Sequence, residues 1–283
     1  MQGYIDSVKY IPTHLKKEDI LEIKVPKYHR VIIDAEHPSY IDSELDFSQN
    51  KFKYPYLPLY LGEYDIPDVE KIELNVLRLM IRENSEDKSI YLPKELMPFR
   101  DFILENINYH RLYYPVNKDC YIYVTVRSST YEELFYKNSS TWHIDGFQGS
   151  RIKRHIIEQD AFWCNTSPTE FSLQPYFCEN LNPSKHDIND FFDKNANVNF
   201  LIESKPKSTY FITPYNVHRV NKEKFDGKRV FIRLNFSPVL IEDFTNTINP
   251  LLSQYKFEKR RDVRDFLRGY NLNEVDDSGF YFK

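Results

Sequence analysis

Ser140-Thr141-Trp142-His143-Ile144-Asp145-Gly146-Phe147-Gln148-Gly149 contains a His-x-Asp pair. On an extended strand alternate side chains share a face, so His143 and Asp145 point the same way. An imidazole and a carboxylate placed like this can take two adjacent positions on a small metal ion. The best third ligand is His218, in Thr213-Pro214-Tyr215-Asn216-Val217-His218-Arg219-Val220. Two histidines and one carboxylate on one face of a metal leave the opposite positions open, an arrangement suited to Fe(II). Shortly after His218, Gly227-Lys228-Arg229-Val230-Phe231-Ile232-Arg233-Leu234-Asn235-Phe236 reads as a strand. Its alternation puts Arg229, Phe231, Arg233 and Asn235 on one face, and Val230, Ile232, Leu234 and Phe236 on the other. An inward arginine there could hold a carboxylate in a bidentate contact.

The order His-x-Asp, distal His, then Gly-x-Arg resembles the Fe(II)/2-oxoglutarate-dependent dioxygenase superfamily. The Trp-His-x-Asp-Gly form is most similar to its phytanoyl-CoA and prolyl-hydroxylase-like branches, over roughly residues 121 to 238. The resemblance implies a double-stranded β-helix, a jelly-roll core of the cupin-like kind. It implies Fe(II) bound by His143, Asp145 and His218, with 2-oxoglutarate as co-substrate and O₂ as oxidant. The reaction implied is hydroxylation of an unactivated C–H with release of succinate and CO₂. Arg229 takes the place of the 2-oxoglutarate clamp, although Phe231 stands where the family has Ser or Thr. Arg233 is the second choice, since Arg233-Leu234-Asn235-Phe236-Ser237 resembles the Arg-x-Asn-x-Thr pattern of the superfamily's nucleic-acid demethylases. Two other readings stay open: a cupin-like metal enzyme without 2-oxoglutarate, and a non-catalytic jelly-roll binding module.

The elements that must position these residues follow from the periodicities. Tyr121, Tyr123, Thr125 and Arg127 alternate with Ile122, Val124 and Val126, which predicts a strand with one polar face. Facing into a barrel, Tyr123 and Arg127 approach the co-substrate; facing out, Arg127 joins a surface ion pair. Gln159–Thr166 and Phe171–Phe177 read as further strands. Gln148 is placed to meet substrate or to support a ligand. Arg151 to Arg154 form a basic cluster, either a solvated loop or a lid in which Arg151 holds an anionic substrate group. His155 is the main rival to the chosen ligands; His186 precedes a short helical signal at 187–192.

Upstream, strands are expected at 20–25 and 30–35, and a Tyr-rich loop punctuated by Pro55, Pro58 and Pro67. Asp68 is read as the cap of a helix through Val69, Ile72, Val76, Leu79 and Met80. Pro93 opens a second helix, with Leu96, Phe99, Ile103 and Ile107 on one apolar face. Residues 240 to 268 read as a helix interrupted near Pro250, with its last part basic, followed by a tail. The expected organisation is one dioxygenase-like domain over 1–283: a mixed supporting region at 1–115, the jelly-roll core at 116–240, and a C-terminal helix and tail at 241–283.

Composition narrows the partners. A chain of 283 residues buries about three quarters of its unfolded surface, enough for a sizeable core. The formal net charge of −4 argues against a general nucleic-acid binder. A small-molecule substrate is therefore favoured, with a nucleic-acid base or protein side chain still open. No apolar run reaches the length of a membrane span, and no secretory signal is evident. Cys120, Cys164 and Cys178 are odd in number and lack metal-ligand spacing, which fits three small buried side chains in a reducing, cytoplasmic setting.

Overall fold

Strand alternation builds a two-layer core. The computed structural model describes residues 51–53, 55–84, 89–113, 120–135, 141–145, 159–181, 188–238, 240–241 and 246–252. The strands are β1 (Leu59–Glu63), β2 (Asn75–Arg82), β3 (Tyr121–Ser129), β4 (Gln159–Cys164), β5 (Thr169–Ser172), β6 (Leu201–Glu203), β7 (Ser208–Ile212), β8 (His218–Val220) and β9 (Arg229–Ser237). The helices are α1 (Arg100–Tyr113), α2 (Tyr131–Phe135) and α3 (Ile188–Asn195). A larger sheet has the order β1-β7-β4-β9-β3-β2, and a smaller one β6-β5-β8. Every strand pairing is antiparallel. An isolated antiparallel bridge between His143 and His218 adds residues 142–145 to the free edge of β8.

From β3 onward the chain crosses repeatedly between the sheets. It runs β3 in the large sheet, 142–145 in the small one, β4 in the large, β5 and β6 in the small, β7 in the large, β8 in the small and β9 in the large. Nearest neighbours in space are therefore distant in sequence, as in two interleaved Greek keys. This is the jelly-roll, double-stranded β-helix topology, and the mainly β expectation holds.

Each sheet buries its outer face under a helix. Val230, Ile232, Leu234 and Phe236 of β9 join Ile122, Val124 and Val126 of β3 and Ala161 and Trp163 of β4 in one cluster. Phe102, Ile103 and Ile107 of α1 close over it, with Leu96 and Phe99 from the preceding 3-10 turn Lys94–Phe99. The apolar face expected after Pro93 is this one. Truncating Phe102 to alanine there costs on the order of 3–5 kcal/mol. Behind the small sheet, Trp142, Ile144 and Val217 pack with Ile188 and Phe192 of α3, Phe52 and Tyr215. Between the sheets lie Phe162, Phe171, Tyr210 and Ile212.

The helix expected from Asp68 is absent. A 3-10 turn, Val69–Lys71, leads into β2. The physical reason is a bulge. Val76 pairs with Val126 and Leu79 with Val124, so an extra residue lies between them. The insertion brings residues three apart onto one sheet face, and so imitates helical spacing. Arg78 sits in the bulge with φ of 45°. The Tyr-rich loop likewise contains β1. The strands expected at 20–25 and 30–35, the helical segment beyond 252 and the tail lie outside the described residues. The helix expected from residue 240 is not formed in its described part: 240–241 and 246–249 are non-helical and lead into a 3-10 turn, Pro250–Leu252.

Candidate metal centre

His143 and His218 are directly opposed across a two-residue ladder. The N–H of each donates to the carbonyl of the other at 2.9 Å. Residues opposed this way carry their side chains on the same face. The two imidazole centroids are accordingly 4.5 Å apart. Asp145, two residues beyond His143, returns to that face, and its Oδ2 is 3.4 Å from His218 Nε2. One ligand atom from each of the three residues falls within 4.8 Å of the others, and no second such trio of His, Cys, Asp or Glu occurs among the described residues.

Both histidine rings are fixed by backbone carbonyls. His143 Nδ1 donates to the Thr141 carbonyl at 2.7 Å, and His218 Nδ1 to the Asn216 carbonyl at 2.8 Å. A carbonyl only accepts, so each ring carries a proton on Nδ1; Nε2 of His143 is left to accept, while Nε2 of His218 faces the Asp145 carboxylate and must give up any proton held between them before it could bind a metal. A carbonyl at Nδ1 is the usual support for a ligating imidazole. Asn216 is held in turn, donating to the Tyr56 carbonyl at 3.0 Å and accepting from the Thr213 N–H at 2.9 Å.

The electrostatics favour one negative ligand between two imidazoles. Burial alone would raise the Asp145 pKa, but the Arg233 guanidinium overrides it, with help from His218 and His143, and holds the carboxyl well below its usual range. For His143, burial and then the neighbouring His218 push the value down to about 4. Burial also opposes a charge on His218, yet the hydrogen bond and charge of Asp145 prevail, and its pKa lies above the ordinary 6.5.

Residues behind the ligands keep the segment extended. On one edge it pairs with β8. On the other, Asp193 Oδ1 of α3 accepts the Trp142 N–H at 2.8 Å, and Asn189 Oδ1 accepts the Ile144 N–H at 3.4 Å. On the small sheet's outer face, Arg219 Nε donates to Glu170 Oε2 at 2.5 Å. The guanidinium also lies 4.5 Å from the Trp142 ring centroid. None of these partners carries a sequence motif; Asn189 and Asp193 at i and i+4 were the only available hint.

The two arginines of β9 occupy different settings. Arg233 Nη1 donates to Asp145 Oδ2 at 2.6 Å and lies 3.8 Å from Asp160 Oδ2. Asn235 Nδ2 donates to Asp160 Oδ1 at 2.6 Å. Asp160 was not singled out in sequence, since its partners Arg233 and Asn235 lie on β9, more than 70 residues away. Four residues away, about 13 Å of strand, Arg229 is buried and donates from Nε to the Ser167 carbonyl at 2.9 Å. Its guanidinium stands 4.9 Å from the Phe231 ring, and its Nη2 has no hydrogen-bond partner among the described residues.

Of the other residues singled out, Tyr123 is buried on the inner face, but its hydroxyl accepts the Ile241 N–H at 2.8 Å and its ring packs with Met80 and Leu252. Arg127 is exposed, opposite Phe231 in the register, and its charge bears on Arg229. Gln148, Arg151, His155 and His186 lie outside the described residues. His110 is on the far side of the large sheet, away from the trio, against Gln159 and Phe236.

No family model matches the sequence, and no curated protein matches it. Solved structures do. The structure of the Kdo hydroxylase KdoO, a non-heme Fe(II) alphaketoglutarate dependent dioxygenase, with succinate and Fe(III) aligns at 11% identity and a TM-score of 0.41, covering 74% of this chain and 88% of that one. Its cobalt(II) complex aligns at 10% identity and 0.39, covering 74% and 89%. The apo form aligns at 11% and 0.34, covering 60% and 72%. These scores are low; the jelly roll of this chain stands on its own strand order. No helix among the described residues is long and apolar enough to cross a membrane.

Proposed function

We propose that this chain is an Fe(II)- and 2-oxoglutarate-dependent oxygenase that hydroxylates a small molecule. The observation that carries the reading is the His143–Asp145–His218 trio, with both Nδ1 atoms tied to backbone carbonyls and one ligand atom from each residue within 4.8 Å of the others. Two imidazoles, once His218 has shed its proton, and one carboxylate match the donor set of non-haem Fe(II) sites that keep cis positions open. Iron with bound 2-oxoglutarate and O₂ supplies an oxidant able to convert C–H to C–OH as the keto acid becomes succinate and CO₂.

The chain's own residues bind and orient. His143, Asp145 and His218 would hold the ion. Arg229 takes the distal carboxylate of the diacid, which supplies a partner for its unmatched buried Nη2. Arg233 is already committed to Asp145 and is read as fixing that carboxylate. Arg127 adds positive charge near Arg229, and Tyr123 shapes the wall beside Asn235. Phe162, Phe171 and Phe231 make the adjoining interior apolar and exclude water. Gln148 and Arg151 are assigned to the substrate side. The acidic net charge supports a small molecule over a nucleic acid. Cys120, Cys164 and Cys178 are buried and none is in a disulfide, which suits a reducing compartment.

The test is an anaerobic titration of the apo-protein with Fe(II) and then 2-oxoglutarate. A visible metal-to-ligand charge-transfer band is expected, absent in His143→Ala and weakened in Arg229→Ala. Bound metal with no band on adding the keto acid would sink the proposal in favour of a cupin-like metal enzyme.

A further inference from the structure

Residues 142–145 meet β8 at a single bridge, too little ladder to define a strand register. A slip of one residue would turn every side chain to the opposite face. His143 and Asp145 would then point into the Phe192 cluster, and Trp142 and Ile144 into the site. Something else must set the register. The outward N–H groups of Trp142 and Ile144 are two residues apart, about 6.7 Å along an extended chain. Asn189 and Asp193 are one helical turn apart, about 6 Å along the axis of α3. The two spacings match closely enough for both side-chain oxygens to take both amides, at 2.8 and 3.4 Å.

We propose that α3 acts as a surrogate edge strand, and that Asp193 and Asn189 are positioning residues that hold His143 and Asp145 in metal-binding register. The inference rests on the metal reading above and adds to it an element remote from the ion. Ile188 and Phe192 attach the same helix to Trp142 and Ile144 through apolar contact. Apolar contact tolerates sliding; two directed hydrogen bonds at fixed spacing do not. The helix therefore has two separable roles, cover and register.

Those roles can be tested on the full chain with Co(II) as the probe, reading affinity and the visible d–d spectrum. Asp193→Ala is expected to weaken Co(II) binding about tenfold, in the range for residues that support ligands, and to alter the spectrum. Asp193→Asn keeps an acceptor oxygen and is expected to restore binding to within about twofold. Gln174→Ala is the control for loosening the helix. Gln174 donates to the Asn195 carbonyl at 2.7 Å and accepts from the Asn197 N–H, anchoring the C-terminal end of α3 without touching residues 142–145. That variant is expected to lower Tm while leaving Co(II) affinity and spectrum unchanged. The proposal is overturned if Asp193→Ala matches wild type in both readouts, or if Gln174→Ala loses as much affinity as Asp193→Ala. Wild-type protein that binds no Co(II) would remove the metal reading itself, and the inference with it.

Discussion

Arg233 and Asp145 form an ion pair on the inner face, 2.6 Å from Nη1 to Oδ2, and Asp145 Oδ2 is also 3.4 Å from His218 Nε2. The acid limb of metal binding follows from this geometry. His218 must lose its proton to bind, and its pKa is raised above 6.5, so affinity falls as the pH drops through that raised value. Arg233→Gln removes a nearby cation. That loss lets the pKa values of both Asp145 and His218 rise, so the limb is expected to move to higher pH. Co(II) retention measured against pH decides; an unmoved midpoint would show that Arg233 does not tune the ligands.

Replacing the ligands gives a simpler outcome. His143→Ala, Asp145→Ala and His218→Ala are each expected to weaken Co(II) binding by at least about a hundredfold, since every ligand must be present and deprotonated. Isothermal titration with Co(II) measures it. Near-native affinity in any one variant would remove that residue from the trio.

Arg229 and the metal should separate cleanly. Arg229→Ala removes a charge-assisted contact of about 1.5–3 kcal/mol, so 2-oxoglutarate affinity is expected to fall roughly 10- to 100-fold. Metal affinity should not change. Arg229→Lys keeps the charge without the planar fork and should fall between. If Arg233→Ala alone weakens the keto acid, the two roles are exchanged.

Glu170 and Arg219 are both buried, and removing one leaves an uncompensated charge beneath Trp142. Glu170→Ala is expected to cost about 3–5 kcal/mol of folding stability, read from urea denaturation. A loss within about 0.5 kcal/mol would show that the pair is solvated.

His110 contributes to the pH dependence of stability, alongside His143, whose pKa is likewise lowered to about 4. Burial, only partly offset by a hydrogen bond to Gln159, drives the His110 pKa down to about 4. The folded state resists protonation that the unfolded chain accepts at about 6.5. Stability is therefore full above pH 6.5 and declines from there down to about pH 4, by roughly 1.4 kcal/mol per pH unit for one proton. Denaturation midpoints of His110→Phe should show a shallower slope across that window; an equal slope assigns the protons elsewhere.

Much of the core was legible because its signals are local. Alternation along 121–127 and 229–236 marked β3 and β9 and their faces correctly, and the His-x-Asp spacing needed only an extended backbone to bring two candidate ligands together. What stayed hidden depends on partners far away in sequence. The bulge at Arg78 gave β2 a helix-like spacing, because sequence periodicity cannot register an inserted residue. Asp160 lay unnoticed in β4, since its importance comes from Arg233 and Asn235 on β9. The α3 side chains look like ordinary surface polar residues until the edge they cap is known.

The single His143–His218 bridge also places the site late in the history of the folding chain. Its two histidines are roughly 75 residues apart, so the loop between them must close before an ion can see all three ligands. An ion that recognises only the closed form stabilises it by mass action and leaves partly assembled chains untouched. Under the proposed function, metal occupancy would then be a checkpoint on topology: a chain with an unclosed jelly roll would lack the complete trio, and so would not be armed with an oxidant it could not contain.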